Sequence, residues 1–367
     1  MKPFVFSLFF IFPFVLFAQY PQWNVDYYAG KILRHTSKLK YKIPAFSQAV
    51  EISYWQQTTG QKAWARCQHF PHIGLSFYAI DLGDNFTLGT AYGLLPKLSA
   101  RLWNTNTFDL RFQLGSGVAY LSRTYDVLEN PLNNAIGSHW NNITTLHFNA
   151  HYLLSKKWTL RAGFGLLHLS NGSAKLPNLG INYVSASLGI QYRPRAMPAR
   201  IQAPCPPLAH SRWSAQVFGT LAFNEIFGIG GPRYPIYTLA TAVGYYLTPY
   251  HRLLLGAEYE FNRGVYDFGV SNFYFTNRRE ARVGASRWML SVADELFFGS
   301  FSIFLQVGVY WKADFRFLSF PIYNRLGFRY YLPPIGRPRT RFFLGIHLKS
   351  HRFAAEQIAL GIGASIN

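Results

Sequence analysis

The chain has 367 residues, 49% hydrophobic, 18% aromatic and only 14% charged, and its 36 Lys+Arg against 16 Asp+Glu give a formal charge of +20. Beyond the first eighteen residues no long apolar run occurs, which excludes a helical membrane protein. The basic balance points to anionic partners, phosphorylated lipids or nucleic acid, and the two cysteines, Cys67 and Cys205, are too few for a disulfide scaffold, so a bridge is not expected.

The chain opens with MKPFVFSLFFIFPFVLFAQ, one Lys followed by an apolar run that ends at Ala18. This pattern predicts a secretory signal peptide over residues 1–18, cut between Ala18 and Gln19, with Leu16 larger than usual two residues before the cut. No Cys follows the site, so a lipoprotein anchor is not expected. Export argues against nucleic acid as the partner, and no basic helix or aromatic platform of the kind it needs is visible.

From there the sequence reads as alternating segments of about ten residues, the length of a tilted strand crossing a membrane. They lie near Trp23–Leu33 and Phe46–Trp55, then at Ile73–Ile80, Phe86–Leu94, Asp109–Leu121 and Thr145–Leu154. Two more flank a polar loop within Leu160–Gln191. Eight follow at Trp213–Phe223, Tyr237–Leu247, Leu253–Phe261, Trp288–Phe297, Phe301–Trp311, Ile322–Tyr331, Phe342–Lys349 and Gln357–Ile366. Many end in Tyr, Trp or Phe, as aromatic girdles do, and the pattern predicts an all-β, antiparallel transmembrane β-barrel of about sixteen strands. Short turns such as Ser155-Lys156-Lys157 alternate with long polar loops such as Asp126–Asn142 and Asn262–Arg287, so the segment after Lys156 should run outward.

That segment carries the candidate chemistry. Side chains at i and i+2 share a strand face, so His168 and Ser170 stand side by side, as a base and a hydroxyl must for general-base activation. Their face also holds Leu166, Phe164, Ala162, Leu160 and Trp158, while the other carries Leu167, Gly165, Gly163, Arg161 and Thr159. On the next segment Asn182 falls on the apolar face with Val184, Ala186 and Leu188. In a soluble sandwich such a dyad would be sealed in the core. In a membrane barrel the apolar side meets lipid, and a dyad at its outer rim would meet a lipid ester. A His and a Ser at a strand end are otherwise ordinary interface residues.

The series is interrupted by the Pro-rich residues 195–212, which cannot form a central strand. They are either a long connection within one large barrel, the arrangement preferred here, or a linker between two eight-strand units. His347, Lys349 and His351 oppose Leu344 and Ile346 and read as lumen or rim residues. The basic loops Arg34–Lys42, Arg278–Arg287 and Arg337–Arg341 are either solvated surface or contacts for lipid phosphates.

The run His168-Leu169-Ser170-Asn171-Gly172, followed by Pro177-Asn178-Leu179-Gly180-Ile181-Asn182, resembles the outer-membrane lipid A 3-O-deacylases of the PagL type, often called the acyloxyacyl hydrolase family. Gly115–Tyr120 and Asn134–Ser138 resemble that family's versions from Gram-negative bacteria of the Bacteroidetes type. The resemblance covers roughly Trp23–Arg193. It divides the chain into the signal peptide 1–18, a deacylase-like barrel region 19–194, the Pro-rich connection 195–212 and additional strands 213–367. It implies an eight-stranded barrel with a second β unit as the alternative to one large barrel. It also implies ester hydrolysis at the 3-position of lipid A in the outer membrane, with Ser170 as nucleophile, His168 as base and Asn178 in the oxyanion hole beside the loop residues Asn171 and Gly172.

The third position departs from the family: fourteen residues after the His the founding enzymes have Glu, and this chain has Asn182. An Asn can orient a His through its amide oxygen but stabilises the imidazolium less. Glu356, on the apolar face of the last segment by alternation, and Asp126 are the possible substitute carboxylates. The expected partner is lipid A or lipopolysaccharide as substrate, among outer-membrane lipids, with no cofactor, no metal site and the oligomeric state left open. Two other readings stand beside the esterase: a non-catalytic barrel, channel or structural, and a phospholipase using the same dyad.

Overall fold

The structure is a computed structural model that describes residues 20–195, 199–209, 211–226, 228–314, 320–336, 340–351 and 354–367. The expected signal peptide lies outside the described residues, as do residues 337–339 of the Arg337–Arg341 loop.

Among the described residues sixteen strands form, and each alternating segment of the sequence falls on one of them. The first eight are β1 (Pro21–Ile32), β2 (Ser47–Gln57), β3 (His72–Asp81), β4 (Thr90–Asn104), β5 (Phe108–Leu121), β6 (Trp140–Leu153), β7 (Trp158–Ser170) and β8 (Ile181–Tyr192), with a short helix α1 (Ala63–Cys67) between β2 and β3. The second eight are β9 (Trp213–Glu225), β10 (Arg233–Thr248), β11 (His251–Asn262), β12 (Ser286–Phe298), β13 (Phe301–Ala313), β14 (Ile322–Tyr331), β15 (Thr340–His351) and β16 (Ala354–Ile366). Helices α2 (Arg263–Ser271) and α3 (Arg278–Gly284) lie between β11 and β12.

The preferred single barrel is corrected: the strands close as two eight-stranded antiparallel barrels, β1–β8 and β9–β16. The reason is edge pairing. β1 zips onto β8 from Trp23↔Tyr192 to Ile32↔Tyr183, and β9 pairs β16 from Ala222↔Ala359 to Ala215↔Ile366. Each set satisfies its own edge hydrogen bonds, so no open strand remains to join the sets. The chain packs as two compact units. One holds 139–169, 181–203 and the residues up to 133, with the first barrel; the other holds 134–138, 170–180 and 204–367, with the second barrel. Both cysteines, Cys67 and Cys205, are disulfide-bonded, which corrects the expectation of no bridge.

Two further departures have local causes. Asp84 accepts the amides of Phe86 and Thr87, so the segment expected to begin at Phe86 stays a turn until Thr90. The loop expected between β11 and β12 instead forms α2 and α3, whose first turns are capped by the side chains of Asn262 and Asn277.

Alternation is clean in both barrels. On β7 the side chains of Trp158, Leu160 and Phe164 face outward and exposed, whereas Thr159 and Arg161 are buried inside. Both lumens are filled with side chains, as eight strands require. In the first, Glu51 pairs with Lys97 at 2.8 Å and accepts from the hydroxyls of Tyr28, Tyr78 and Ser76, and Asp26 pairs with Arg161. In the second, Arg252 meets Glu295 and Arg325 meets Glu258, each at 2.8 Å, and Lys349 reaches Glu260 at 3.0 Å. His347, Lys349 and His351 are buried in this lumen.

Candidate active site

β7 and β8 pair in antiparallel register with His168 directly opposite Asn182. Both lie on the outward faces of their strands, in line with the exposed Phe164 and Val184 and away from the lumen, and each is partly buried. His168 Nδ1 stands 2.7 Å from Asn182 Oδ1. An amide oxygen only accepts, so Nδ1 carries the proton and donates it, and the lone pair of Nε2 is left for base chemistry. Cross-strand register thus fixes both the ring orientation and the tautomer.

Ser170 ends β7, two residues beyond His168, and is buried at 2% exposure. Its hydroxyl oxygen accepts from Asn178 Nδ2 at 2.9 Å and from the Gly172 amide at 3.2 Å, and it lies 3.2 Å from Asn178 Oδ1. The same Oδ1 accepts the Asn171 amide at 3.1 Å. Asn171 in turn donates through Nδ2 to Ser138 Oγ and to the Lys175 carbonyl, each at 2.8 Å. Every polar residue singled out in this loop therefore holds another in place. The loop turns at Gly172, where φ is +61° and an added Cβ would come within 2.6 Å of Ile358 Cγ1 and 2.9 Å of its backbone N. Only glycine fits both demands.

Two pairs result, His168 with Asn182 and Ser170 with Asn178, joined through the chain by Leu169 alone. Ser170's hydroxyl is directed at Asn178 and the Gly172 amide.

Neither substitute carboxylate pairs with His168 among the described residues. Alternation put Glu356 on the outward face, but the β15–β16 ladder steps from Lys349↔Gln357 to Ser350↔Ala355, leaving Glu356 as an extra bulged residue. The bulge turns it into the lumen, where it pairs with Arg287 at 2.7 Å and Lys349 at 3.2 Å. Asp126 accepts the amides of Leu128 and Glu129 and closes a turn. Among the described residues His168 makes no ion pair with a carboxylate.

A residue the sequence did not single out holds the loop. Glu225, at the end of β9 and buried, accepts the Leu176 amide at 2.6 Å, while its own amide donates to the Ser173 carbonyl at 3.0 Å. Ser173 Oγ donates to the Ala355 carbonyl at 3.3 Å. No local motif marks Glu225, because it stands 49 residues from Leu176 in the chain.

Residues 48–191 match the family model described as lipid A 3-O-deacylase (PagL), and residues 211–367 match the one described as acyloxyacyl hydrolase, C-terminal domain. No curated protein matches the chain. Among solved structures, Acinetobacter baumannii OccAB4 shares 9% identity, covering 94% of this chain and 97% of its own at a TM-score of 0.25. The Pseudomonas aeruginosa outer membrane protein opdK also shares 9%, covering 95% and 99% at a TM-score of 0.24. Scores this low carry no argument, and the architecture stands on the strand pairing itself.

Proposed function

We propose, from the premise that this chain belongs to the PagL family of lipid A deacylases, that it is an outer-membrane serine esterase removing an ester-linked acyl chain from lipid A, with Ser170 as nucleophile and His168 as base. The family is one of hydrolases acting on lipid A; the residue roles are our reading. The observation that carries it is the pairing of His168 with Asn182 on the outward face of β7 and β8, two residues from a serine held by Asn178.

In this reading the Ser170 hydroxyl gives its proton to His168 Nε2 and attacks the acyl carbonyl. Asn182 Oδ1 steadies the imidazolium so formed through Nδ1–H. The tetrahedral oxyanion is held by donors that now address Ser170 Oγ, Asn178 Nδ2 and the Gly172 amide. His168 returns the proton to the departing sugar oxygen as the C–O bond breaks, leaving an acyl-Ser170 ester. Water, deprotonated by His168, then releases the fatty acid and restores the hydroxyl. The outward apolar face brings the dyad to the hydrocarbon where the acyl chain lies.

The channel reading fits less well. A conduit needs an open lumen, and both interiors are crossed by fully buried ion pairs such as Glu51–Lys97 and Glu295–Arg252. The phospholipase reading keeps the same dyad. One experiment separates all three: the wild-type chain and Ser170→Ala are expressed in an outer membrane, and lipid A and phospholipids are profiled by mass spectrometry. Loss of one acyl chain from lipid A with the wild type only is the expected result. Unchanged lipid A, or lysophospholipid in its place, refutes the proposal.

A further inference from the structure

We propose a second lipid-binding site on this chain, a cationic pocket on the outward face of the second barrel that takes the phosphorylated headgroup of an outer-leaflet glycolipid. It lies far along the sequence from the Ser170 loop. Tyr259, Trp288 and Lys312 form a row across three neighbouring strands, Tyr259 opposite Trp288 and Trp288 opposite Lys312. Arg282 and Val283 of α3 and the hydroxyl of Ser286 complete a cavity of about 250 Å³.

Lys312 reaches this face through an irregularity in the ladder. Strict alternation would send it inward, because Leu305, Val307 and Val309 face out. The ladder instead steps from Met289↔Tyr310 to Trp288↔Lys312, so Trp311 is an extra residue and both Trp311 and Lys312 are exposed. A bulge re-aims a side chain in this way. A cation on the lipid-facing side of a barrel is costly at mid-membrane and tolerated near the interface, which fits its place near the end of β13.

The pocket's chemistry selects its occupant. Arg282 and Lys312 make no ion pair among the described residues. Tyr259 and Ser286 present hydroxyls 2.9 Å apart, and the Tyr259 and Trp288 rings, with centroids 4.9 Å apart, make an apolar floor. Two cations and two hydroxyls over aromatic rings suit a phosphate monoester carried on a sugar. The volume falls below the ~300 Å³ at which pockets for whole drug-sized ligands begin, so it fits a headgroup and leaves the acyl chains on the apolar strand faces outside. The choice of a phosphorylated glycolipid rests on the deacylase reading; the binding itself needs no catalysis.

The test uses the full chain in detergent as Ser170→Ala, titrated by native mass spectrometry with bisphosphorylated lipid A, lipid A stripped of both phosphates, and phosphatidylcholine. Two cations near a membrane surface predict a preference of about thirtyfold for the phosphorylated form. Arg282→Gln with Lys312→Gln should abolish that preference and leave phosphatidylcholine binding unchanged, and Lys312→Gln alone should lower it about fivefold. Heat-modifiable gel migration checks that each variant is folded; should the double variant fail to fold, the single one decides. An unchanged preference in the folded variant overturns the site, and displacement of the lipid by millimolar inorganic phosphate makes it a free-anion site instead. Hydrolysis that survives Ser170→Ala would refute the catalytic mechanism while leaving this binding result intact.

Discussion

Replacing Asn182 with Asp tests the orienting role most directly. The side chains are isosteric, so the carboxylate takes the place of an amide oxygen 2.7 Å from His168 Nδ1. A neutral hydrogen bond contributes about 0.5–1.5 kcal/mol net and one to a charged group about 1.5–3. The difference, about 1–1.5 kcal/mol, is felt where the imidazolium forms, and 1.4 kcal/mol is tenfold in rate. Asn182→Asp is therefore expected to raise kcat roughly five- to tenfold. Asn182→Glu restores the family's residue but adds a methylene where the contact is already close, so its gain should be smaller. Asn182→Leu removes the acceptor and leaves the tautomer unset, for a loss on the order of a hundredfold. The assay is fatty-acid release from lipid A in mixed micelles, followed by mass spectrometry with kcat and KM separated. Equal rates for wild type, Asn182→Asp and Asn182→Leu would show that Asn182 does not orient the base.

Other substitutions probe the surrounding structure. Asn178→Ala removes the side-chain donor to Ser170 Oγ and should lower kcat by about 10²–10³ with little change in KM, if that donor serves the oxyanion. Glu225→Ala leaves the Leu176 amide without its charged acceptor and should lower kcat roughly tenfold, Glu225→Gln recovering much of it; a normal rate in the Ala variant would remove Glu225 from any positioning role. Glu356→Ala strips a carboxylate from Arg287 and Lys349 and should destabilise the second barrel by about 3–5 kcal/mol, read as a lower urea midpoint in detergent. The hydrolytic rate per folded molecule should stay unchanged in that variant, and a fall would revive Glu356 as the missing carboxylate.

The loop that carries Ser170 and Asn178 belongs to the unit of the second barrel. Residues 170–180 pack with β9 and β16 through Glu225, Ser173 and the Gly172–Ile358 contact. The strands after the Pro-rich connection thus supply contacts to the segment that presents Ser170 and Asn178. A variant of this loop is best interpreted in the full chain.

Period-two alternation is a local property, so the sequence alone determined the all-β class, the sixteen strands and the outward face shared by Trp158, Phe164, His168 and Asn182. The same locality explains what it could not decide. Whether sixteen strands close once or twice depends on which edges meet, and β1 with β8 and β9 with β16 are pairings across 130 residues or more, settled only by the folded ladders. One extra residue reverses the alternation of a strand, so the bulge at Glu356 overturned the face that alternation assigned to it, and the one at Trp311 turns Lys312 outward. Motif spacing placed His168, Ser170, Asn178 and Asn182 near one another, yet the partner each one holds was fixed by register and loop closure. Glu225 left no trace in the motif, because a hydrogen bond between residues 49 apart exists only once the chain has brought them together.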